Sequence, residues 1–457
     1  MFDRTSFPLW KSTQFADSHF TDSFFYEARA LKIERSDALH DNPPTITMKL
    51  PAFLLAVSIS SLTAVAADWP QFRGPNRDDV STETGLLQEW PAEGPKRVWL
   101  FDNAGQGYSG FSVVGGKLFT IGTRDGKEIL LALDAAIGKE QWVTPIGDIL
   151  GNKWGDGPRG TPTVDGDRIY ALSGKGNLVC ADASSGKVHW TKSMQELGGK
   201  TPGWGYAESP LVDGKLVVVT PGGDKGTMAA LDKMTGALVW QSADVTEGAQ
   251  YSSIVPASID GKKQYVQLVM QTLFGVDAAT GKLIWRSAWP GRTAVIPTPI
   301  VKGDEVFISS GYGVGCKKVK VKGSEAPDVF LNKDLENHHG GVLLVGDWLY
   351  GNSKGGWTCM SFADGSVKWV EKQALGKGAI ACADGMLYCL EERTGNVVLA
   401  EASPDGWSEK GRFKLDPQTT IRSSSGAIWT HPVIGNGKLY LRDQNYIYCY
   451  DVTKPAP

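Results

Sequence analysis

Only four histidines follow residue 67, and three of them, His338, His339 and His431, fall just before segments that read as first strands of a repeated unit. Imidazole suits Zn, Cu, Fe or Mn, and carboxylates complete such sites. Glu208 holds the matching place in another unit, so His338, His339, His431 and Glu208 form a candidate divalent-metal set. The same places carry cations. Arg159, Arg292 and Lys377 have the chemistry to hold an anion, since Arg grips a carboxylate through two parallel N–H donors. Trp204, Tyr206 and Tyr251 offer flat faces to a planar ring or a sugar, and Tyr108 and Asn337 add a phenol and an amide. A quinone would need both the cations and the rings. The competing explanation is plain: a channel mouth is polar even when it binds nothing, and His338-His339 can be a turn satisfied by backbone.

What must position these residues is a repeat. One phrase, Ala-x-Asp with Gly four residues on and Trp four beyond that, recurs as Ala132–Asp134–Gly138–Trp142 and Ala230–Asp232–Gly236–Trp240. Variants are Cys180–Asp182–Gly186–Trp190, Gly275–Asp277–Gly281–Trp285, Cys359–Gly365–Trp369 and Cys389–Gly395–Leu399. A hairpin signal precedes each copy, with turns at Gly115-Gly116, Asp165-Gly166, Asp213-Gly214, Asp260-Gly261, Lys302-Gly303, Val345-Gly346, Asp384-Gly385 and Asn436-Gly437. Asp-Gly and Asn-Gly between apolar runs favour a tight hairpin because both turn residues take positive φ. Eight hairpins, each followed by a third and fourth strand, predict an all-β, eight-bladed β-propeller of four-stranded antiparallel blades. The last unit stops after its third strand at Asp451. Lys96-Arg97-Val98-Trp99 is a spare strand with Trp in the docking place, and it is expected to close the ring and remove the open edge. In a propeller the links between blades converge on the central axis, which is why the candidate residues are taken as one set at the channel mouth.

The Ala-x-Asp-x-x-x-Gly-x-x-x-Trp phrase resembles the tryptophan-docking motif of the PQQ-like, quinoprotein alcohol dehydrogenase-like propeller family, over about residues 96–454. That family includes quinone-dependent dehydrogenases and the non-enzymatic outer-membrane assembly factor BamB. Asp68-Trp69-Pro70-Gln71-Phe72-Arg73-Gly74-Pro75 also resembles the opening of secreted planctomycete and verrucomicrobial PQQ-like repeat proteins. The resemblance implies fold more than function. Two departures count against a fully equipped quinohaemoprotein: the chain has no adjacent cysteine pair to stack on a quinone, and no Cys-x-x-Cys-His for haem. No Cys follows the leader as a lipid anchor would require, which separates the chain from a direct BamB equivalent.

Met48-Lys49, the apolar run Leu50–Val65 and the small residues Ala64, Ala66 and Ala67 have the order of a secretory signal peptide over 48–67. Met48 is therefore expected to be the true start rather than Met1, with 1–47 an extension, 68–95 a lead-in and 96–454 the propeller. A periplasmic or secreted bacterial protein follows, with no transmembrane anchor once the leader is cut. Net charge is −3, and the most basic stretch, Lys317-Lys318-Val319-Lys320-Val321-Lys322, alternates like the solvated face of one strand, so nucleic acid is not an expected partner. Cys180, Cys359, Cys389 and Cys449 share a repeat position that Ala or Gly fills elsewhere, which marks them as small buried residues. Cys382 is expected opposite Leu387, away from a bridge to Cys389. The recurring Asp134, Asp182, Asp232 and Asp277 are expected to cap turns, and Gly311-Tyr312-Gly313-Val314-Gly315, with no helix after it, is expected to be a wide turn. The function expected is a monomeric binding or scaffold module for a protein or carbohydrate, with a ligand site at the channel mouth. The alternative is a quinone- or metal-dependent oxidoreductase resembling alcohol or polyvinyl alcohol dehydrogenases, with PQQ or a divalent metal as cofactor.

Overall fold

The computed structural model describes residues 67–455. The 1–47 extension, the choice between Met1 and Met48, and all of the 48–67 leader except Ala67 lie outside the described residues. Eight antiparallel sheets follow one another along the chain as blades 1 to 8. Blades 1 to 6 span 112–148, 163–193, 211–241, 255–288, 300–332 and 342–371, and blade 7 spans 378–414. Blade 8 combines the three strands of 433–451 with Arg97–Phe101, which pairs with Tyr446–Asp451 with Trp99 opposite Cys449. The ring is thus closed by an N-terminal strand. Among the described residues no helix is long and apolar enough to cross a membrane.

All eight hairpin turns lie where the sequence placed them, in two chemistries. In four of them, Gly115-Gly116, Asp260-Gly261, Asp384-Gly385 and Asn436-Gly437, both loop residues have positive φ. In the other four the glycine opens the loop, as in Gly166-Asp167 between the paired Asp165 and Arg168, and only it needs positive φ. The Asp of each repeat caps its turn: Asp134 Oδ1 accepts the Ala136 amide at 2.9 Å, and Asp232 Oδ1 accepts the Thr235 amide at 2.9 Å.

The turn glycine is also what the tryptophan needs. A Cβ on Gly138, Gly186, Gly236 or Gly281 would collide with Trp99, Trp142, Trp190 or Trp240 of the preceding blade. The Trp99 and Trp190 indoles donate to the carbonyls of Ala135 and Lys233 at 3.0 and 3.1 Å. Trp99, Trp142 and Trp190 therefore each join two blades through a flat apolar contact and a hydrogen bond, and Trp240 through the contact alone. In blade 5 Phe330 takes this place against Gly365, while Trp285 donates instead to Gln264 of its own blade at 2.7 Å.

Two sequence expectations are corrected. Cys389–Gly395–Leu399 is not a docking phrase: Cys389 lies in the second strand of blade 7 (Met386–Glu391) and Leu399 in the third (Asn396–Glu401). The phrase is therefore one strand out of phase. The lysine run is a solvated face only in part, at the exposed Lys320 and Lys322. Lys317 and Lys318 are buried. The Lys318 ammonium donates to Ala363 O at 2.9 Å, pairs with Glu305 at 3.0 Å and lies 4.6 Å from the Phe362 ring. Long aliphatic stems let lysines enter an interface that their charge alone would forbid. The six cysteines are free and buried, and Cys382 sits opposite Leu387.

Residues 67–95 do more than lead in. Trp69 pairs with Val113 of blade 1, and Pro70 O accepts the Val164 amide of blade 2 at 2.8 Å. Arg77 donates to Ser209 O at 2.9 Å beside blade 3, and Arg73 to Val342 O of blade 6 at 2.7 Å. Val80–Ser81 adds a parallel strand to blade 7, and Glu83 accepts the Gly437 amide of blade 8 at 2.8 Å. These partners lie on or beside the first strands, which face the axis. The segment therefore packs into the middle of the ring, and backbone groups that an open channel would leave to water are paired with it.

Candidate functional site

An antiparallel blade alternates its turns between two faces. Links from one blade to the next share a face with the turns between second and third strands. Residues from both sets surround a cavity of about 370 Å³ at one end of the axis. Trp69, Phe72, Arg73 and Asp79 of the N-terminal segment also line it. The segment closes the axial side, so the cavity is a blind cup rather than a pore.

Rings make its sides. Trp204 meets Tyr251 edge-on with centroids 5.7 Å apart, Tyr108 lies 5.0 Å from Trp429, and His339 lies 4.6 Å from Trp429 at an interplanar angle of 30°. The Arg159 guanidinium sits 5.4 Å from the Tyr108 ring and donates to Gly155 O at 2.7 Å. Burial lowers its pKa, but an arginine keeps its charge in proteins. Across the cup, Lys377 Nζ lies 2.5 Å from His338 Nδ1 and 3.4 Å from Glu392, and Trp429 Nε1 donates to Glu392 at 3.1 Å. Burial, then His339 and Lys377 nearby, bring the His338 ring down to about 2, so it is neutral at ordinary pH. Burial also lowers His339. Burial pushes Glu392 upward, but His339 and the Lys377 ammonium outweigh it and the carboxyl is net lowered.

Of the sequence-predicted residues, Tyr108, Arg159, Trp204, Tyr251, Lys377, His338, His339 and His431 come together on the cup. Four do not line it. Tyr206 is buried in the core between blades 2 and 3 and donates to Pro221 O at 3.0 Å, because its ring fills space beside Met194 and Leu197. Glu208 is buried facing Arg77, with one oxygen on the Thr220 amide. Asn337 is buried and spends its amide on Gly341 O and Asn352 O at 2.8 and 2.9 Å. Arg292 is exposed, and its neighbour Thr293 lines the cup instead.

The residues of the metal set are divided: His338, His339 and His431 line the cup and Glu208 does not. His431 uses Nδ1 on Asp79 and Nε2 on His339 O, both at 3.0 Å, and both His338 nitrogens are engaged. Among the described residues no three His, Cys, Asp or Glu side chains converge as metal ligands.

The sequence did not bring out Phe72, Arg73, Asp79, Trp154, Tyr312 and Glu392 as site residues. Tyr312 and Glu392 lie in turns after second strands, in blades 5 and 7. The alternation of turns between faces was a signal for both, but the links between blades were the only segments read as lining.

A family model described as outer membrane protein assembly factor BamB matches residues 126–371, more than half of the 457. The chain belongs to that family. BamB from Moraxella catarrhalis superposes with a TM-score of 0.57 at 16% identity, covering 79% of this chain and 98% of that one. Quinohemoprotein alcohol dehydrogenase from Comamonas testosteroni gives 0.59 at 12% identity, with 85% and 81% covered. The computationally designed Ika8 protein gives 0.53 at 11%, with 79% and 100% covered. At these identities the likeness is one of fold. No curated protein sequence matches the chain.

Proposed function

We propose that the protein is an exported propeller that acts as a binding or scaffold module, taking a ring-bearing small ligand, a sugar or a planar ring, in the cup. The observation that carries this reading is a blind cavity of about 370 Å³ with aromatic rings on several sides and charged groups placed between them. Such a cavity buries most of a small ring, and rings presented by separate blades need little reordering to receive it. Family membership alongside BamB agrees with a role outside the cytoplasm. The test is a titration followed by tryptophan fluorescence, since Trp204 and Trp429 line the cup. The panel is neutral monosaccharides, aromatic acids, and PQQ with Ca²⁺. Saturable quenching by one class, with Kd below about 1 mM, supports the reading. Failure of every class overturns it.

A second reading is a quinone-dependent oxidoreductase, favoured by Arg159 and Lys377 standing among the rings. Those cations fit the carboxylates of a planar quinone, and Trp204 and Trp429 fit its faces. When bound, such a group would supply two-electron oxidation of an alcohol. Dye-linked alcohol oxidation that appears only after PQQ and Ca²⁺ are added would favour this reading over the first.

A further inference from the structure

We infer that Tyr312 is a ligand-facing hydrogen-bond donor whose direction is set by Lys377 through His338, so that the cup selects ligands presenting an oxygen acceptor, a carboxylate above all. The inference rests on the cup being a ligand site and adds the polarity of what it takes.

The argument is one of proton counting. Lys377 Nζ lies 2.5 Å from His338 Nδ1. An ammonium has donors only, so Nδ1 must present its lone pair. Burial lowers the Lys377 ammonium from its ordinary value, and Glu392, 3.4 Å from Nζ, offsets this in part and favours the charged lysine. A neutral imidazole with a lone pair on Nδ1 carries its hydrogen on Nε2. His338 Nε2 is hydrogen-bonded to the Tyr312 hydroxyl. Nε2–H therefore donates and the phenol oxygen accepts. The opposite sense would require an imidazole with no hydrogen at all. The phenol's own hydrogen is thus left over, and Tyr312 lines the cup.

The other open valences have the same sense. Tyr251 Oη accepts the Trp204 amide at 3.3 Å, which leaves a second phenol hydrogen free of that bond. Arg159 and Lys377 add two cations. Each carboxylate at the wall has one oxygen engaged: Asp79 Oδ2 lies 3.2 Å from Arg73 and 3.0 Å from His431, and Glu392 Oε2 holds Lys377 and Trp429. Four cations line the cup, Arg73, Arg159, Lys377 and Arg393, against two carboxylates, Asp79 and Glu392. A ring bearing a carboxylate satisfies the donors; a ring bearing an ammonium leaves them unpaired and meets like charges.

Two measurements on the full chain test this. The first is long-range ¹⁵N NMR of the His338 side chain at pH 7, with the resonance assigned by comparison with His338→Gln. The Nε2–H tautomer is expected in the wild type, and a mixture in Lys377→Met. The second compares three probes of one ring, 2-naphthoate, 2-naphthalenemethanol and 2-naphthylmethylammonium. The carboxylate should bind about tenfold tighter than the alcohol, as charge-assisted hydrogen bonds allow, and the ammonium weakest. Tyr312→Phe and Lys377→Met should each remove much of that preference, and their double variant should lose less than the sum of the two, because they act through one chain. An Nδ1–H tautomer, equal binding of all three probes, or an undiminished preference in Tyr312→Phe overturns the inference. Equal binding leaves the cup standing as a ligand site, whereas failure of all three probes to bind removes both.

Discussion

His431 Nδ1 lies 3.0 Å from Asp79 Oδ2, a contact between residues 352 positions apart. Asp79 also lies 3.2 Å from Arg73 Nε, and both members of that pair are almost completely buried. The N-terminal segment is therefore held to the floor of the cup by a buried cation, a carboxylate and an imidazole. Removing one partner of a buried ion pair leaves the other charge uncompensated, at a cost of about 3–5 kcal/mol. Asp79→Asn keeps a residue type that tolerates the positive φ found there (60°) but removes the charge. It should lower stability by about that amount in chemical denaturation, while His338→Gln, farther from this pair, should be close to wild type. Equal stabilities for the two variants would refute the assignment.

Glu208 gives a pH dependence. Burial is the main cause that raises its carboxyl to about 7, against its ordinary value of 4.5, with the Thr220 hydrogen bonds and the Arg77 charge only partly offsetting it. The folded state therefore holds a proton more tightly than the unfolded one. Its contribution is fully present below about 4.5 and is lost as pH rises to about 7, with a total on the order of 3 kcal/mol. Glu208→Gln should match the wild type at pH 4.5 and exceed it at pH 8. Denaturation curves at the two pH values check this, and an identical pH slope in both proteins would contradict it.

The docking tryptophans make a graded prediction. Trp142→Ala should cost about 3–5 kcal/mol, the loss for a large ring at a packed contact. Gly186→Ala should also destabilise strongly, because φ is 73° and the new Cβ would strike Trp142. Gly116→Ala has a similar φ of 75° but open space around it, so it isolates the backbone cost of about 1 kcal/mol. Thermal melts that rank Gly116→Ala beside Gly186→Ala would show that the collision contributes nothing.

Removal of residues 1–83 separates the plug from ring closure. The closing strand Arg97–Phe101 remains, so the ring should still assemble. The cup loses Trp69, Phe72, Arg73 and Asp79, and axial backbone groups lose their partners. Lower stability together with complete loss of ligand quenching is expected. Unchanged quenching by the same ligand would place the binding site elsewhere.

The sequence alone determined the ring. Its signals are local and repeated: an Asp that caps a turn, a glycine in positive φ, and a ring residue four positions later, each dictated by neighbours a few residues away. It also identified the link residues Tyr108, Arg159, Trp204, Tyr251, Lys377, His338, His339 and His431, because a repeat places its links on one face. The tertiary structure decided what the repeat does not encode. Residues 67–95 follow no period, and their contacts with six of the eight blades arise only once the ring exists. Nor does spacing show which way a link side chain turns. Tyr206 and Glu208 point into the core, and Tyr312 and Glu392 reach the cup from turns that adjoin it only in three dimensions. In an alternating strand or an irregular link, a shift of one residue reverses the side on which a side chain stands, and packing against the neighbouring blade selects between the two.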